Sequence, residues 1–360
     1  MNRRDFLQHA GAASAGLVLA KPMLTKPADD WRRFEVMTRV EVLKPAGATR
    51  IWVPAALVQQ TPYQQTLANT FNAPGAKARF VERKDDALGL VAAEFPAGVP
   101  PVVTVTSRVA TRNVSVLTPR PPLPSGEGEQ NLKHFLRPTR LLPTDGIVKQ
   151  KADEITRGAR SDVDKARAIY DWIVDHTFRK PTTRGCGLGD IRFMLATGDL
   201  GGKCADLNAL FVGLARASGL PARDVYGIRV APSALAYKSL GASSDHVTKS
   251  QHCRAEVYLQ DSGWVPVDPA DVRKVVLEEP PGNRPLDDAM VTAARARLFG
   301  SWEMNWLAYN FAHDVALPGS RGGGEPLPFL MYPQAETAEG RIDSLDPDAF
   351  KYEIIAREIE

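Results

Sequence analysis

Residues 201–220 read GGKCADLNALFVGLARASGL, and the fold turns on how this stretch begins. Leu207, Leu210, Phe211 and Leu214 recur at the spacing that lines one face of a helix. Gly219 and Pro221 stop it. The start is unusual. Gly201, Gly202 and Lys203 lead into Cys204, one of three cysteines in the chain. A thiol in the first turn of a helix meets unpaired backbone N–H groups and the positive end of the helix dipole, and both favour the thiolate. The preceding glycines let other backbone approach, and the same N–H groups are natural oxyanion donors. Taken alone, Cys204 reads as a buried, inert cysteine or as an activated nucleophile. Other residues must decide.

A nucleophile of this kind needs a base, and the base needs an orienting partner. The chain has six histidines. His9 lies in the leader, His134 and His176 in polar surroundings, and His313 in the tail. His246 and His252 precede a strand, and only His252 heads the run HCRAEVYLQDSGWVPVDP, two strands about a turn that ends on Asp268. Side chains alternate faces along a strand, so His252 and Asp268 share a face only if paired residue numbers have an even sum. A loop over 260–262 or 259–263 pairs residues that sum to 522 and sets His252 diagonal to Arg254, the partner of Asp268. A loop of two or four residues would put the pair on opposite faces.

Three blocks together resemble the transglutaminase-like superfamily. They are Gly202-Lys203-Cys204 opening a helix that runs to LARASGLPAR, His252 heading the AEVYL strand, and GWVPVDP with Asp268. The similarity covers roughly residues 140 to 275. It implies an α+β, papain-like core in which a helix carrying Cys204 packs on an antiparallel sheet carrying His252 and Asp268. It also implies that Cys204 attacks a carbonyl carbon, His252 exchanges protons and Asp268 orients the imidazole. The family's histidine is often followed by a small residue and an aromatic one, where this chain has Cys253 and Arg254. Bacterial members are often held to be hydrolytic. The expectation is therefore a cysteine peptidase or amidase acting on protein or peptide. A crosslinking transglutaminase with an amine acceptor and a non-catalytic peptide or cell-wall binding module of the same fold are the alternatives. A redox protein using Cys186 and Cys253 is a third.

The chain has 360 residues, 44% hydrophobic, with a net charge of +3, which does not point to nucleic acid. No run of 18 apolar residues exists to span a membrane. The opening MNRRDFLQHAGAASAGLVLAKP resembles a twin-arginine export signal, with Arg3, Arg4, Phe6 and Leu7 before a weakly apolar stretch that would be cut near Ala20. This predicts a periplasmic or secreted protein.

The organisation predicted is a leader (1–29), an antiparallel β-sandwich-like domain (30–118), a Pro/Gly-rich linker (119–137), the catalytic core (138–275) and an extension packing on that core (276–360). Ser161 is a candidate N-cap, Trp172 a packed core residue and the end DAFKYEIIAREIE a candidate strand. Export raises the question of an odd cysteine, and pairing Cys186 with Cys253 would leave Cys204 free. No cofactor is expected, and no metal. A cation site at His246, His252 and Cys253 fits no common zinc spacing, and no calcium-loop motif occurs. Asp190 and Arg192 read as surface loop or cleft lining, Trp264 as packing, and Asp206 and Asn208 as helix surface, with Asn208 one turn in from the site.

Overall fold

The computed structural model describes residues 30–116, 127–321 and 325–360, and residues 31–360 form one compact unit. The expected export leader, residues 119–126 of the expected linker and residues 322–324 of the glycine-rich loop lie outside the described residues.

The first third is β. Strands β1 (Arg32–Val42), β2 (Thr49–Pro54), β3 (Gln64–Asn72), β4 (Lys77–Arg83), β5 (Leu88–Phe95) and β6 (Val102–Thr111) precede a short β7 (Val114–Ser115). In β1 the buried residues are Phe34, Val36, Thr38, Val40 and Val42, each separated by a less buried one, the period of a half-covered strand. The core follows as α1 (Glu129–His134), α2 (Gly146–Ile155), α3 (Asp162–His176), β8 (Phe178–Arg179), α4 (Ile191–Thr197), β9 (Gly201–Gly202) and α5 (Cys204–Ala217). Strands β10 (Ala222–Arg229), β11 (Gln251–Leu259) and β12 (Gly263–Val267) come next, then α6 (Pro269–Glu278) and α7 (Ala289–Arg297). The remainder holds β13 (Ser301–Trp302), β14 (Trp306–Asn310), β15 (His313–Val315), β16 (Leu327–Phe329), β17 (Gln334–Thr337), β18 (Gly340–Ile342) and β19 (Phe350–Ile359).

Two sheets make the sandwich, ordered β19-β1-β6-β3 and β18-β17-β2-β5-β4. Val40, Ile51, Val53, Val91, Phe95 and Val105 pack between them. Residues 276–360 are thus divided, where the sequence predicted an extension lying on the core. Helix α7 and strand β14 do pack there, but β17, β18 and β19 complete the two N-terminal sheets. The reason is the edge each sheet would otherwise expose. Strand β19 pairs with β1 over ten residues, from Arg33–Ile359 to Val42–Phe350, and buries Phe350, Ile354 and Ala356.

The end of the expected linker is likewise structured. Helix α1 leads into Phe135, which is buried against Trp264 and Phe311, and His134 pairs with Asp86 at 2.8 Å. Ser161 caps α3 as predicted, accepting from the Asp164 N–H at 3.1 Å.

Helix α5 is the axis of the core. It lies between α2, α3, α4 and α6 and the sheet ordered β12-β11-β10-β14. The sequence predicted one apolar stripe, yet all fourteen residues of α5 are buried, as in a helix covered on every side. Its polar residues are therefore all bonded. Arg216 donates to the carbonyls of Ala222 and Arg137 at 2.8 and 3.0 Å, and burial pushes its guanidinium down to about 10.

Candidate active site

The N-terminus of α5 is held by Asp206, the third residue of the helix, which sequence reading left on the surface. One carboxylate oxygen accepts from the N–H groups of Leu188 and Gly189 at 2.9 and 3.0 Å, and the other from Lys203 N–H at 3.0 Å. This is the returning half of a capping box, extended to clamp a second loop. The loop needs glycine to fit. Gly187 sits at φ +96°, and a Cβ there would lie 1.9 Å from the Asp206 carboxylate. Gly202 is similarly crowded, with a Cβ meeting Asp206 at 2.5 Å. The glycines before Cys204 thus make room for the protein's own side chains, Gly202 for Asp206 and Gly201 for the Phe178 ring, 2.4 Å from where a Cβ would lie. The clamped loop brings in Cys186, whose carbonyl accepts from Ala205 N–H at 2.9 Å.

Strands β11 and β12 pair with Ala255 opposite Val267 and Val257 opposite Val265, the register of sum 522, around a loop over 260–262. His252 therefore stands on the same face as Asp268. The last step is made by helix α6, for which Asp268 is the N-cap and Pro269 the first residue. Asp268 Oδ1 accepts from Asp271 N–H at 3.0 Å and from Asn208 Nδ2 at 3.2 Å. Oδ2 lies 2.8 Å from His252 Nε2. The imidazole is thereby fixed by Nε2, which leaves Nδ1 for the thiol.

The structure brings Cys204, His252 and Asp268 together. Cys204 and His252 are each 4% exposed and line one cavity of about 610 Å³, while Asp268 is fully buried behind them. Hydrogen bonding to Cys186 and Cys253, and then to His252, holds the Cys204 thiol well below its ordinary 9.0 in spite of burial. Burial and Arg229 would lower His252, but the carboxylates of Asp271 and Asp268 outweigh them and raise it above 6.5. Both shifts favour a thiolate–imidazolium pair.

All three thiols are free and buried, so of the two readings open for Cys253, a core residue or a disulfide partner of Cys186, the structure has the first. Cys204 sits within hydrogen-bonding reach of both and takes the place between them. Burial pushes the Cys253 thiol up, and hydrogen bonding to Cys204 does the same for Cys186, so of the three only Cys204 is lowered.

Several residues of the site were not singled out in the sequence. Asp271 lies 3.4 Å from His252 Nε2, and Arg229 on β10 grips it bidentately at 2.6 and 2.8 Å. Burial notwithstanding, Arg229 holds the Asp271 carboxyl well below the usual range. The signal available was the spacing Asp268-Pro269-Ala270-Asp271, an N-cap with an acid at the third helical position. His252, Asp268 and Asp271 place their ligand atoms within 4.8 Å of one another, but Arg229 already occupies both oxygens of Asp271. Asn208 is fully buried and bridges Cys253 O at 2.8 Å to Asp268, so it is an internal tie, not helix surface. Arg254 Nε lies 3.7 Å from Asp268 Oδ2, with its guanidinium over Trp302 and Trp306. Trp306 Nε1 donates to His252 O at 2.9 Å, so the aromatic segment braces β11 from behind.

The remaining candidates fall elsewhere. His246 is exposed, 3.3 Å from Glu353, and takes no part in a cluster with His252. His313 pairs with Asp224 at 3.0 Å in the core, and His176 stacks on the half-buried Trp172. Asp190 caps α4, Arg192 reaches Asp145 at 3.2 Å on the surface, and Trp264 packs under Arg223.

The profile of the transglutaminase-like superfamily matches residues 149–269. An uncharacterized protein of Haemophilus influenzae is 38% identical over 237 residues, and the match spans 64% of this chain and 63% of that relative. A Cytophaga hutchinsonii crystal structure, provisionally named a cysteine protease, is 16% identical over 91% of this chain and 98% of its own, with a TM-score of 0.48. The periplasmic domain of TgpA from Pseudomonas aeruginosa is 17% identical over 67% of this chain and 88% of its own, with a TM-score of 0.36. The chain therefore carries, over residues 149–269, a core of the transglutaminase-like superfamily.

Proposed function

We propose that this chain is a thiol-dependent acyl-transfer enzyme that hydrolyses amide bonds of protein or peptide. The observation that carries the reading is the cavity floor, where Cys204 opens α5 beside an imidazole whose far nitrogen is fixed by buried Asp268. The Cys204 thiolate attacks the amide carbon and the carbonyl oxygen takes the charge. Ala205 N–H is already bonded to Cys186, so the backbone donor nearest the thiol is Cys204 N–H. His252 gives its proton to the leaving amine, whose departure leaves a thioester on Cys204. His252 then takes a proton from water, which attacks the thioester and releases the acid and the thiol. Asp268 holds the imidazole and balances its charge throughout.

The test is mass spectrometry of a peptide library incubated with the protein, with and without a primary amine. Cleaved peptides that vanish with Cys204→Ala are expected. Amine-tagged products without cleavage would make the chain a crosslinking transglutaminase, and no product in either arm would favour a binding module. We further propose that the protein works outside the cytoplasm, on the strength of the Arg3-Arg4 leader. Lysine in place of both arginines should retain the chain in the cytoplasm.

A further inference from the structure

Six cationic side chains line the cavity over Cys204: Arg179, Lys203, Arg229, Lys249, Lys274 and Lys351. Among the described residues, no carboxylate lines it. Nearby acids offset part of this charge. Arg229 is taken by Asp271, and Arg179 and Lys274 share Glu278, Lys274 from 3.7 Å. Lys203 Nζ donates to the Thr183 carbonyl at 2.7 Å, a neutral partner. Lys249 and Lys351 are exposed, and among the described residues neither forms an ion pair; Glu41 stands opposite Lys351 across the β1–β19 pair but is bonded to Arg39 at 2.8 Å. Asp346 and Asp348 flank Pro347 on the rim loop and are not among the residues that line the cavity. A surplus of positive charge therefore surrounds the thiol. The crowding shows at Lys274, which burial and the neighbouring Arg229 push below its ordinary value. A cleft lined by one sign of charge concentrates ligands of the opposite sign.

We infer that the acyl donor is an acidic peptide, with carboxylates beside the reacting amide that lodge against Lys249 and Lys351 at the rim and against the Arg179–Lys274 pair deeper in. This rests on the reading of Cys204 as nucleophile. Tyr332, Leu345, Pro347 and Tyr352 supply the apolar wall for the peptide's other side chains. Charge complementarity, and not shape alone, selects the occupant. Lys249 precedes β11 and Lys351 opens β19, so the rim lysines come from segments joined by the Val247 N–H bond to Ile354 O at 2.8 Å. They are specificity residues, remote from the proton transfers.

Paired alkylating agents test this without a known substrate. Iodoacetate and iodoacetamide differ in charge and little in size. At low salt the iodoacetate-to-iodoacetamide rate ratio at Cys204 should exceed that of free cysteine by about tenfold, and it should collapse in 0.5 M salt. The double variant Lys249→Glu/Lys351→Glu should bring the ratio down to that of free cysteine or below. In parallel, Cys204→Ala protein, which cannot turn over, should bind a hexapeptide with two glutamates about tenfold more tightly than its two-glutamine counterpart. A ratio equal to that of free cysteine, or equal binding of the two peptides, overturns the inference and leaves the nucleophile standing. Slow iodoacetamide reaction at Cys204, no faster than at Cys186 or Cys253, sinks the nucleophile instead, and the peptide comparison still decides the charge preference.

Discussion

Replacing Asp268 by asparagine changes one atom and should disable the site while sparing the fold. Oδ1 of Asp268 accepts from two donors, Asp271 N–H and Asn208 Nδ2, at 3.0 and 3.2 Å. An amide must keep its oxygen there, because turning it round would aim an NH2 group at two donors. Each unmade bond would cost about 1–3 kcal/mol. The NH2 group therefore occupies the Oδ2 position, 2.8 Å from His252 Nε2. That nitrogen must then accept, so the imidazole proton moves to Nδ1, the nitrogen meant to take a proton from Cys204. Restoring the working tautomer costs roughly 3 kcal/mol, and losing one of two carboxylates from the imidazolium costs about 1.4 kcal/mol per unit by which its pKa falls. Together these give a loss of about 10³- to 10⁴-fold in amide hydrolysis. A serine-protease triad loses a similar factor on the same substitution, because the imidazole is left in the wrong tautomer. Alkylation by iodoacetamide reads the thiolate directly and should fall less. A thiol returned to its ordinary 9.0 is about 1% ionised at pH 7, so the loss is bounded near 100-fold. Both rates and the melting temperature would be measured on the same preparation. Hydrolysis within tenfold of the wild type, with the fold intact, would refute the tautomer argument.

Three further outcomes follow from the same geometry. Arg229→Met strands the Asp271 carboxylate without its bidentate partner, at a cost of about 3–5 kcal/mol and a fall in Tm of about 5–10 °C at pH 7. Because Asp271 is depressed in the folded state, its pairing stabilises above the unfolded value of 3.8 and is lost as pH falls through the folded one, so the variant's deficit should shrink below pH 4. Thermal scans at pH 7 and at about pH 3, inside the window below 3.8, check this, and an equal deficit at both would contradict it. In a pH series of iodoacetamide labelling read by peptide mapping, Cys204 should react well below pH 9, ahead of Cys186 and Cys253, and His252→Ala should move its limb upward; three equal limbs would contradict the assignment. Asn208→Ala unties the Cys253 carbonyl and one partner of Asp268, costing about 1–3 kcal/mol and slowing Cys204 labelling several-fold. A variant with unchanged Tm and labelling would show the tie to be dispensable.

The catalytic candidates were legible because each left a local trace. Cys204 opens a helix after two glycines and a lysine, and strand parity allows His252 and Asp268 one face given a loop of odd length, the register the strands adopt. Asp271 and Arg229 left a fainter trace. Asp271 reads as an ordinary helix cap, and Arg229 ends a strand more than forty residues away, so only the fold shows that they meet. The burial of α5 was hidden for a related reason. Asp206, Asn208 and Arg216 look like a polar face because sequence shows their chemistry and not their partners, which are backbone groups of the 188–189 loop, of β11 and of the start of β10. The state of Cys186 and Cys253 stayed open in the sequence because cysteine counting does not reveal a third thiol within reach of both. The expected packing of residues 276–360 on the core holds for α7 and β14 but not for β17, β18 and β19, because a strand pattern reveals its period and never which edge it will join.

The pairing of β19 with β1 has a consequence for timing. Partners more than three hundred residues apart must find each other, the slowest kind of contact to form. Phe350, Lys351 and Tyr352 of β19 stand in the wall over Cys204, so the chamber does not exist while the ribosome is still adding them. A chain that ends before β19 lacks this wall and offers no enclosed space to receive a peptide. Assembly order alone thus keeps the reactive sulfur without a chamber until the chain has closed on itself.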